Sequence, residues 1–310
     1  MQLGLAHLLE QGLAAQVEES RAFNASARAA AAARIPPDLS TAEGLDAARS
    51  GLSSRPPHPR AVELVARAGG HEVPVRVVAP DGRDARGVYL QMHGGGFYMD
   101  SASRSDALNV RLADAVGITV VSVDYRLAPE HPWPAAPDDC ETAACWLVDE
   151  ADRLFGTDQL LLGGASAGAN LAAVTLLRLR DRGRVERFAG AVLQFGAFDL
   201  SGRSPAGRAY ADEWFVDAYA GQVSDRSIPD VSPLYGDLRG LPPSLLVVGA
   251  LDLLLEDSLA MAARLSAAGC EVDLRVYPES VHGFTSFPTA IAEAARCGIE
   301  SFLADCLDGR

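Results

Sequence analysis

The stretch at residues 160–170 constrains the fold more than any other part of the chain. Leu160, Leu161 and Leu162 form a short apolar run that reads as a buried strand. Gly164, Ala165, Ser166, Ala167 and Gly168 follow, and residues 171–179 then carry a helical pattern. The G-x-S-x-G spacing suits a sharp strand-to-helix turn with a serine at its tip. Such a turn brings backbones close together, so its neighbours must carry little or no side chain. The new helix would aim its partial positive end at Ser166. Taken alone, the pattern can arise by chance in a glycine-rich chain; its weight comes from the strand–turn–helix setting.

The rest of the chain supplies that setting. Strand patterns occupy residues 62–68, 73–79, 88–92, 118–123, 160–163, 190–195, 245–248 and 272–277. Helical patterns occupy residues 107–116, 139–153, 171–180, 255–268 and 291–307. Strands alternating with helices of this length predict an α/β fold, a mostly parallel sheet of about eight strands covered by helices on both faces. The first two strands, joined at Gly69-Gly70, read as a hairpin and would add an antiparallel edge. Residues 201–240 break the alternation with Trp214, Phe215, Tyr219 and Tyr235 among glycines and prolines, and read as an excursion between two strands.

Residues 1–50 stand apart. Leu3, Leu5, Leu8, Leu9, Leu13 and Val17 recur at helical spacing, and residues 25–33 are alanine-rich up to Pro36-Pro37. A second short helix is expected at residues 40–49, then a Ser/Pro linker at 51–59. Leu5, Leu8, Leu9 and Leu13 find no partner in their own segment. They are expected to pack on the excursion around Trp214 and Phe215 and roof a pocket. The predicted organisation is therefore leading helices in residues 1–50 and one large domain in 51–310 with an insertion at about 201–240.

The bulk numbers exclude several classes. Among 310 residues, 41 are acidic and 27 are Lys or Arg, for a net charge of −14. That balance argues against nucleic acid or an anionic membrane surface as partner. No apolar run is long enough for a membrane span, and no signal peptide is visible before residue 10. The five cysteines are scattered without metal-ligand spacing and read as reduced thiols of a cytoplasmic protein. No metal is expected. The oligomeric state stays open, a homodimer included.

Ligands in open parallel sheets bind beyond the carboxyl ends of the strands. Three sets of residues stand there. His93, Gly94, Gly95 and Gly96 follow the third strand, and such a loop can turn its N–H groups toward one point, as acyl transfer requires. It lacks the spacing of a phosphate loop. Asp252 follows the seventh strand and His282 the eighth. Each alone would be ordinary. Their joint order, Ser166, Asp252, His282, is that of a catalytic triad on such a sheet.

Four motifs in order also carry a family resemblance: His93-Gly94-Gly95-Gly96-Phe97, Asp124-Tyr125-Arg126-Leu127-Ala128-Pro129-Glu130-His131-Pro132, Gly164-Ala165-Ser166-Ala167-Gly168, and His282-Gly283-Phe284. Over about residues 60–310 the chain resembles the hormone-sensitive-lipase-like branch of the α/β-hydrolases, the family IV bacterial esterases. The resemblance implies an α/β-hydrolase fold, a catalytic domain in 51–310 under a helical cap of residues 1–50 and about 201–240, and hydrolysis of carboxylic esters without metal or organic cofactor. The leading expectation is a serine carboxylesterase acting on short- to medium-chain esters. It also implies an oxyanion hole at the N–H groups of Gly95, Gly96 and Ala167. Phe97, Tyr98, Trp214 and Phe215 are expected to line the substrate pocket. Asp124, Arg126 and Glu130 are read as scaffolding that locks its loop by ion pairs.

Some positions depart from the family pattern. Ala165 stands where Asp or Thr is common, Ala169 where Gly is common, and Leu253 where Pro commonly follows the aspartate. The substrate therefore stays open. An amidase, a lactonase, or a dehydratase or cyclase could share this scaffold, since a fold does not fix its reaction. A ligand-binding relative would usually have lost a triad member.

Overall fold

A computed structural model describes residues 13–33, 35–52 and 56–310. Among these residues eight strands form one sheet: β1 (Val62–Ala68), β2 (His71–Val78), β3 (Val88–Met92), β4 (Thr119–Val123), β5 (Leu160–Ala165), β6 (Phe188–Gln194), β7 (Ser244–Gly249) and β8 (Val272–Tyr277). Their order is β1-β2-β4-β3-β5-β6-β7-β8. β1 and β2 pair antiparallel through a two-residue turn, with Ala68 opposite His71. β2 is antiparallel to β4, and the other pairs are parallel. The interior strands are mostly apolar, as a sheet covered on both faces requires, with polar exceptions including Gln91, Ser122 and Gln194. Every residue of β4 and of β7 is buried.

Among the described residues the helices are α1 (Val17–Ala32), α2 (Ala42–Gly51), α3 (Asp106–Val116), α4 (Ala135–Phe155), α5 (Ala167–Asp181), α6 (Trp214–Ala220), α7 (Leu255–Ala267) and α8 (Ala290–Asp308). α4, α5 and α7 cover one face of the sheet. α3 and α8 cover the other. The chain crosses from β4 over β3 to β5, so the carboxyl ends of β3 and β5 flank the crevice where such sheets bind ligands. α4 begins four residues earlier than the sequence pattern suggests, with Pro137 inside it. In the first turn the missing N–H of a proline breaks no hydrogen bond.

The excursion between β6 and β7 holds no strand among its residues. Val216 and Tyr219 of α6, with Tyr210 and Val231, join the core on the α4/α5 face. Asn170 of α5 ties it down: its amide donates to the carbonyls of Ala197 (2.7 Å) and Val231 (3.0 Å).

The leading segment packs differently from the expectation. Leu13 and Val17 lie against the core under α3 and α8, not on Trp214 and Phe215. Leu3, Leu5, Leu8 and Leu9 lie outside the described residues. The Phe23 ring meets Phe287 at 4.8 Å. Glu19 accepts from the N–H of Ala290 at the start of α8, where a carboxylate meets the positive end of the helix. α1 is largely alanine and polar residues, and its narrow apolar edge, with Val17 and Phe23, meets the surface that the α3/α8 core and Phe287 offer.

No helix among the described residues is long and apolar enough to cross a membrane. All five cysteines are free thiols.

Candidate active site

Ser166 stands at the tip of the turn from β5 into α5, with φ 56° and ψ −119°. The small neighbours have a steric cause. A Cβ on Gly164 would lie 2.3 Å from the carbonyl oxygen of Gly168, and one on Gly168 would lie 2.2 Å from that of Met92. The Ser166 N–H donates to the carbonyl of Gln194 at 2.9 Å, pinning the turn to β6.

The loop after β8 brings His282 over this serine. The serine hydroxyl donates to His282 Nε2 at 2.9 Å. On the other side of the ring, Nδ1 lies 3.1 Å from both carboxylate oxygens of Asp252. The Asp252 side chain is fully buried and also accepts from the N–H of Leu254 at 2.8 Å. Phe195 sets its ring edge-on to His282 at 5.1 Å. Three residues from three strand ends thus form one hydrogen-bonded line.

The loop after β3 closes the facing wall. Gly95 has φ 107°, and a Cβ there would lie 2.1 Å from the carbonyl of Met99. The Gly95 carbonyl accepts from Tyr98 and Met99, which tightens the loop. The N–H groups of Gly95, Gly96 and Ala167 donate to no described residue. His93 is a prop for this loop. Its ring is buried, stacks on Tyr125 at 4.1 Å and donates through Nδ1 to the Gly94 carbonyl. Burial pushes its pKa down, so it stays neutral. The Tyr125 hydroxyl donates to the His93 carbonyl at 2.8 Å.

The loop at residues 124–132 is scaffolding of mixed kind. Arg126 forms a fork with Asp139, and Glu130 one with Arg49 of α2. Asp124 departs from the ion-pair expectation by accepting from the N–H of Ala102. Arg49 also donates to the carbonyls of Tyr98 (2.8 Å) and Ala128 (2.9 Å). α2 is thereby bolted to the glycine loop.

A cavity of about 810 Å³ opens over Ser166. Tyr98 and Phe215 line it, as do Tyr210, Leu254 and Ile299. Phe97 touches it, but the ring is 1% exposed and stacks on Tyr219 at 3.9 Å, so it serves the core. Trp214 is outside the lining and instead meets Tyr98 edge-on at 5.2 Å. The first turn of α6 directs Phe215 inward, and its neighbour on the helix therefore points elsewhere. Sequence reasoning missed Tyr89, Gln91 and Gln194, which also line the cavity. The available signal was a polar residue within otherwise apolar strands.

This nucleophile turn, the glycine loop and the sheet order define a class: the chain belongs to the α/β hydrolase fold family, which it matches over residues 89–286. Within that family it stands in the hormone-sensitive-lipase-like branch. A hormone-sensitive lipase of known structure from a metagenome library superposes with a TM-score of 0.72 at 31% identity, covering 85% of this chain and 91% of that one. The ethyl acetate hydrolase of Pseudomonas putida is 33% identical over 239 residues, 73% of this chain and 75% of its own. The carboxylesterase NlhH of Mycobacterium tuberculosis is 34% identical over 290 residues, 84% of this chain and 88% of its own.

Proposed function

We propose that the chain is a serine carboxylesterase that hydrolyses short- to medium-chain esters through an acyl-enzyme on Ser166. The observation that carries this reading is the unbroken line Ser166–His282–Asp252 facing unspent N–H groups. A serine hydroxyl is a weak nucleophile at neutral pH, so it needs a base within hydrogen-bond reach. His282 Nε2 takes the hydroxyl proton as Oγ bonds to the ester carbonyl carbon. Asp252 holds the ring with Nδ1–H toward itself and stabilises the cation that forms. The carbonyl oxygen, now negative, is received by the N–H groups of Gly95, Gly96 and Ala167, the last at the positive start of α5. His282 then returns its proton to the leaving alcohol. Water, activated by the same ring, cleaves the acyl-enzyme and regenerates the serine.

The cap belongs to this proposal. Tyr210, Glu213 and Phe215 of the excursion border the cavity, while α1 and α2 brace the loops beneath it. Together they would exclude water and orient the acyl chain. The relatives named as an ethyl acetate hydrolase and a carboxylesterase support a small ester as substrate. The deciding experiment labels the protein with a fluorophosphonate and assays p-nitrophenyl esters of increasing acyl length beside matched amides and lactones. Labelling at Ser166 with preferential ester turnover is expected. A protein that is unlabelled and inactive on every ester would overturn the reading.

A further inference from the structure

The cavity extends past Ser166 into a lobe on the sheet face covered by α3 and α8. Strand alternation puts Tyr89, Gln91, Gly163 and Gln194 on that face. Gly163 stands opposite Gln91 on β3 and Val192 on β6. It leaves the space open, since a Cβ there would fall 2.3 Å from the Tyr89 hydroxyl. Tyr89, Gln91 and Gln194 all border the cavity.

These three groups hold unspent hydrogen-bonding capacity. Gln91 Oε1 is buried and has no partner among the described residues. Tyr89 is 2% exposed, and burial pushes its pKa well up, so its hydroxyl remains a neutral donor. Gln194 Oε1 accepts from Thr285 at 2.9 Å, which leaves the amide N–H groups to point elsewhere. A buried polar group without a partner is costly. Gln91 Oε1 is such a group, and with the Tyr89 hydroxyl and the Gln194 amide on the same wall it favours a ligand that can hydrogen-bond over a purely apolar one. The charged groups nearby are already matched: Arg111 pairs with Glu300 at 2.7 Å, Arg296 with Glu293 at 2.8 Å and Arg104 with Asp100 at 2.8 Å. The lobe therefore suits a polar group without charge.

We propose that this lobe is a polar subsite, and that the preferred ester carries an uncharged hydrogen-bonding group, a ketone or hydroxyl, on the arm that enters it. The inference rests on the esterase reading. Gly163, which marks the depth of Gln91, is three residues before Ser166, about 10 Å at the rise of a strand. The polar group thus lies several bonds from the scissile carbonyl.

Two matched pairs of esters test the subsite. One pair, p-nitrophenyl 5-oxohexanoate and 5-methylhexanoate, varies the acyl arm. The other, the acetates of 5-oxohexan-1-ol and 5-methylhexan-1-ol, varies the alcohol arm. The oxo ester of one pair should be favoured in kcat/KM by at least about tenfold, because a site built to hydrogen-bond rejects the analogue that cannot. Which pair responds identifies the arm. Gln91→Leu and Tyr89→Phe should each shrink that ratio while leaving the melting temperature unchanged or higher. A merely structural role for either side chain would lower the melting temperature and leave the ratio alone. Equal or reversed preference in both pairs, or a ratio that survives both substitutions, overturns the subsite. If none of the four esters is hydrolysed, the esterase reading fails by itself. Calorimetric binding of ethyl 5-oxohexanoate and ethyl 5-methylhexanoate to Ser166→Ala then decides the subsite by the same ratio.

Discussion

Ser166 occupies a backbone region that residues with a side chain rarely adopt, at a cost of about 1–3 kcal/mol. The strain lifts the hydroxyl clear of the turn and into reach of His282. Ser166→Ala should abolish turnover down to the residual supplied by the glycine loop and binding, with the fold intact. Ser166→Gly should be equally inactive but melt higher than the alanine variant, because glycine accepts positive φ. Comparing the two melting curves checks this, and identical curves would argue against stored strain. A second residue matters for stability rather than chemistry. Asp257 is fully buried and accepts from the N–H of Phe198, from that of Asp199 and from the Tyr210 hydroxyl. Burial raises its pKa to about 6 from an ordinary 3.8. The folded state therefore binds this proton more tightly than the unfolded chain does. Its contribution is fully present below pH 3.8 and is lost as pH rises through about 6, on the order of 3 kcal/mol. Asp257→Asn removes the titration. The melting temperature of the variant relative to the parent should rise between pH 4 and pH 7.5; a constant difference would contradict the assignment.

At the scale of elements, the His282 loop is braced from an unexpected side. Glu279 has φ 45°, and α1 holds it there. Asn24 donates to its carbonyl at 2.8 Å, and Arg21 to its carboxylate at 2.9 Å. The ion pair is more than half exposed on the arginine side, so it contributes little. The part-buried Asn24 bond to the backbone is the stronger tether. Asn24→Ala should lower kcat several-fold with little change in KM, and Arg21→Ala should do less. Steady-state kinetics on one ester separates the two; a larger effect from Arg21→Ala would reverse the ranking.

At the scale of the whole molecule, two faces of one sheet are finished by different parts of the chain. The excursion completes the α4/α5 face, and the leading segment leans on the α3/α8 face. Removing residues 1–33 should expose Phe287 and the edge of α8 and slacken the His282 loop. The expected outcome is a lower melting temperature, more binding of a hydrophobic dye and a reduced kcat. Unchanged stability and full activity after truncation would mean that this segment does no work.

The sequence by itself determined the sheet, its helices and the identity of the three strand-end residues. Period-2 and period-3.6 apolar patterns are local, and so is the small-residue turn around Ser166. It also placed the glycine loop, because three glycines directly after a strand free the backbone to turn; the approach to Met99 that excludes a side chain at Gly95 shows only in the structure. Which face each peripheral element would cover was not local. The apolar edge of α1 has several surfaces to choose from, and only the assembled α8 and Phe287 show which one it meets. The same holds for the cavity lining. Phe97 and Phe215 are alike as letters, yet one ring is stacked away in the core and the other faces the cavity. The polar lobe is the clearest case. Tyr89, Gln91 and Gln194 lie on two strands that are separated by β5, and they share one wall only because Gly163 between them has no side chain.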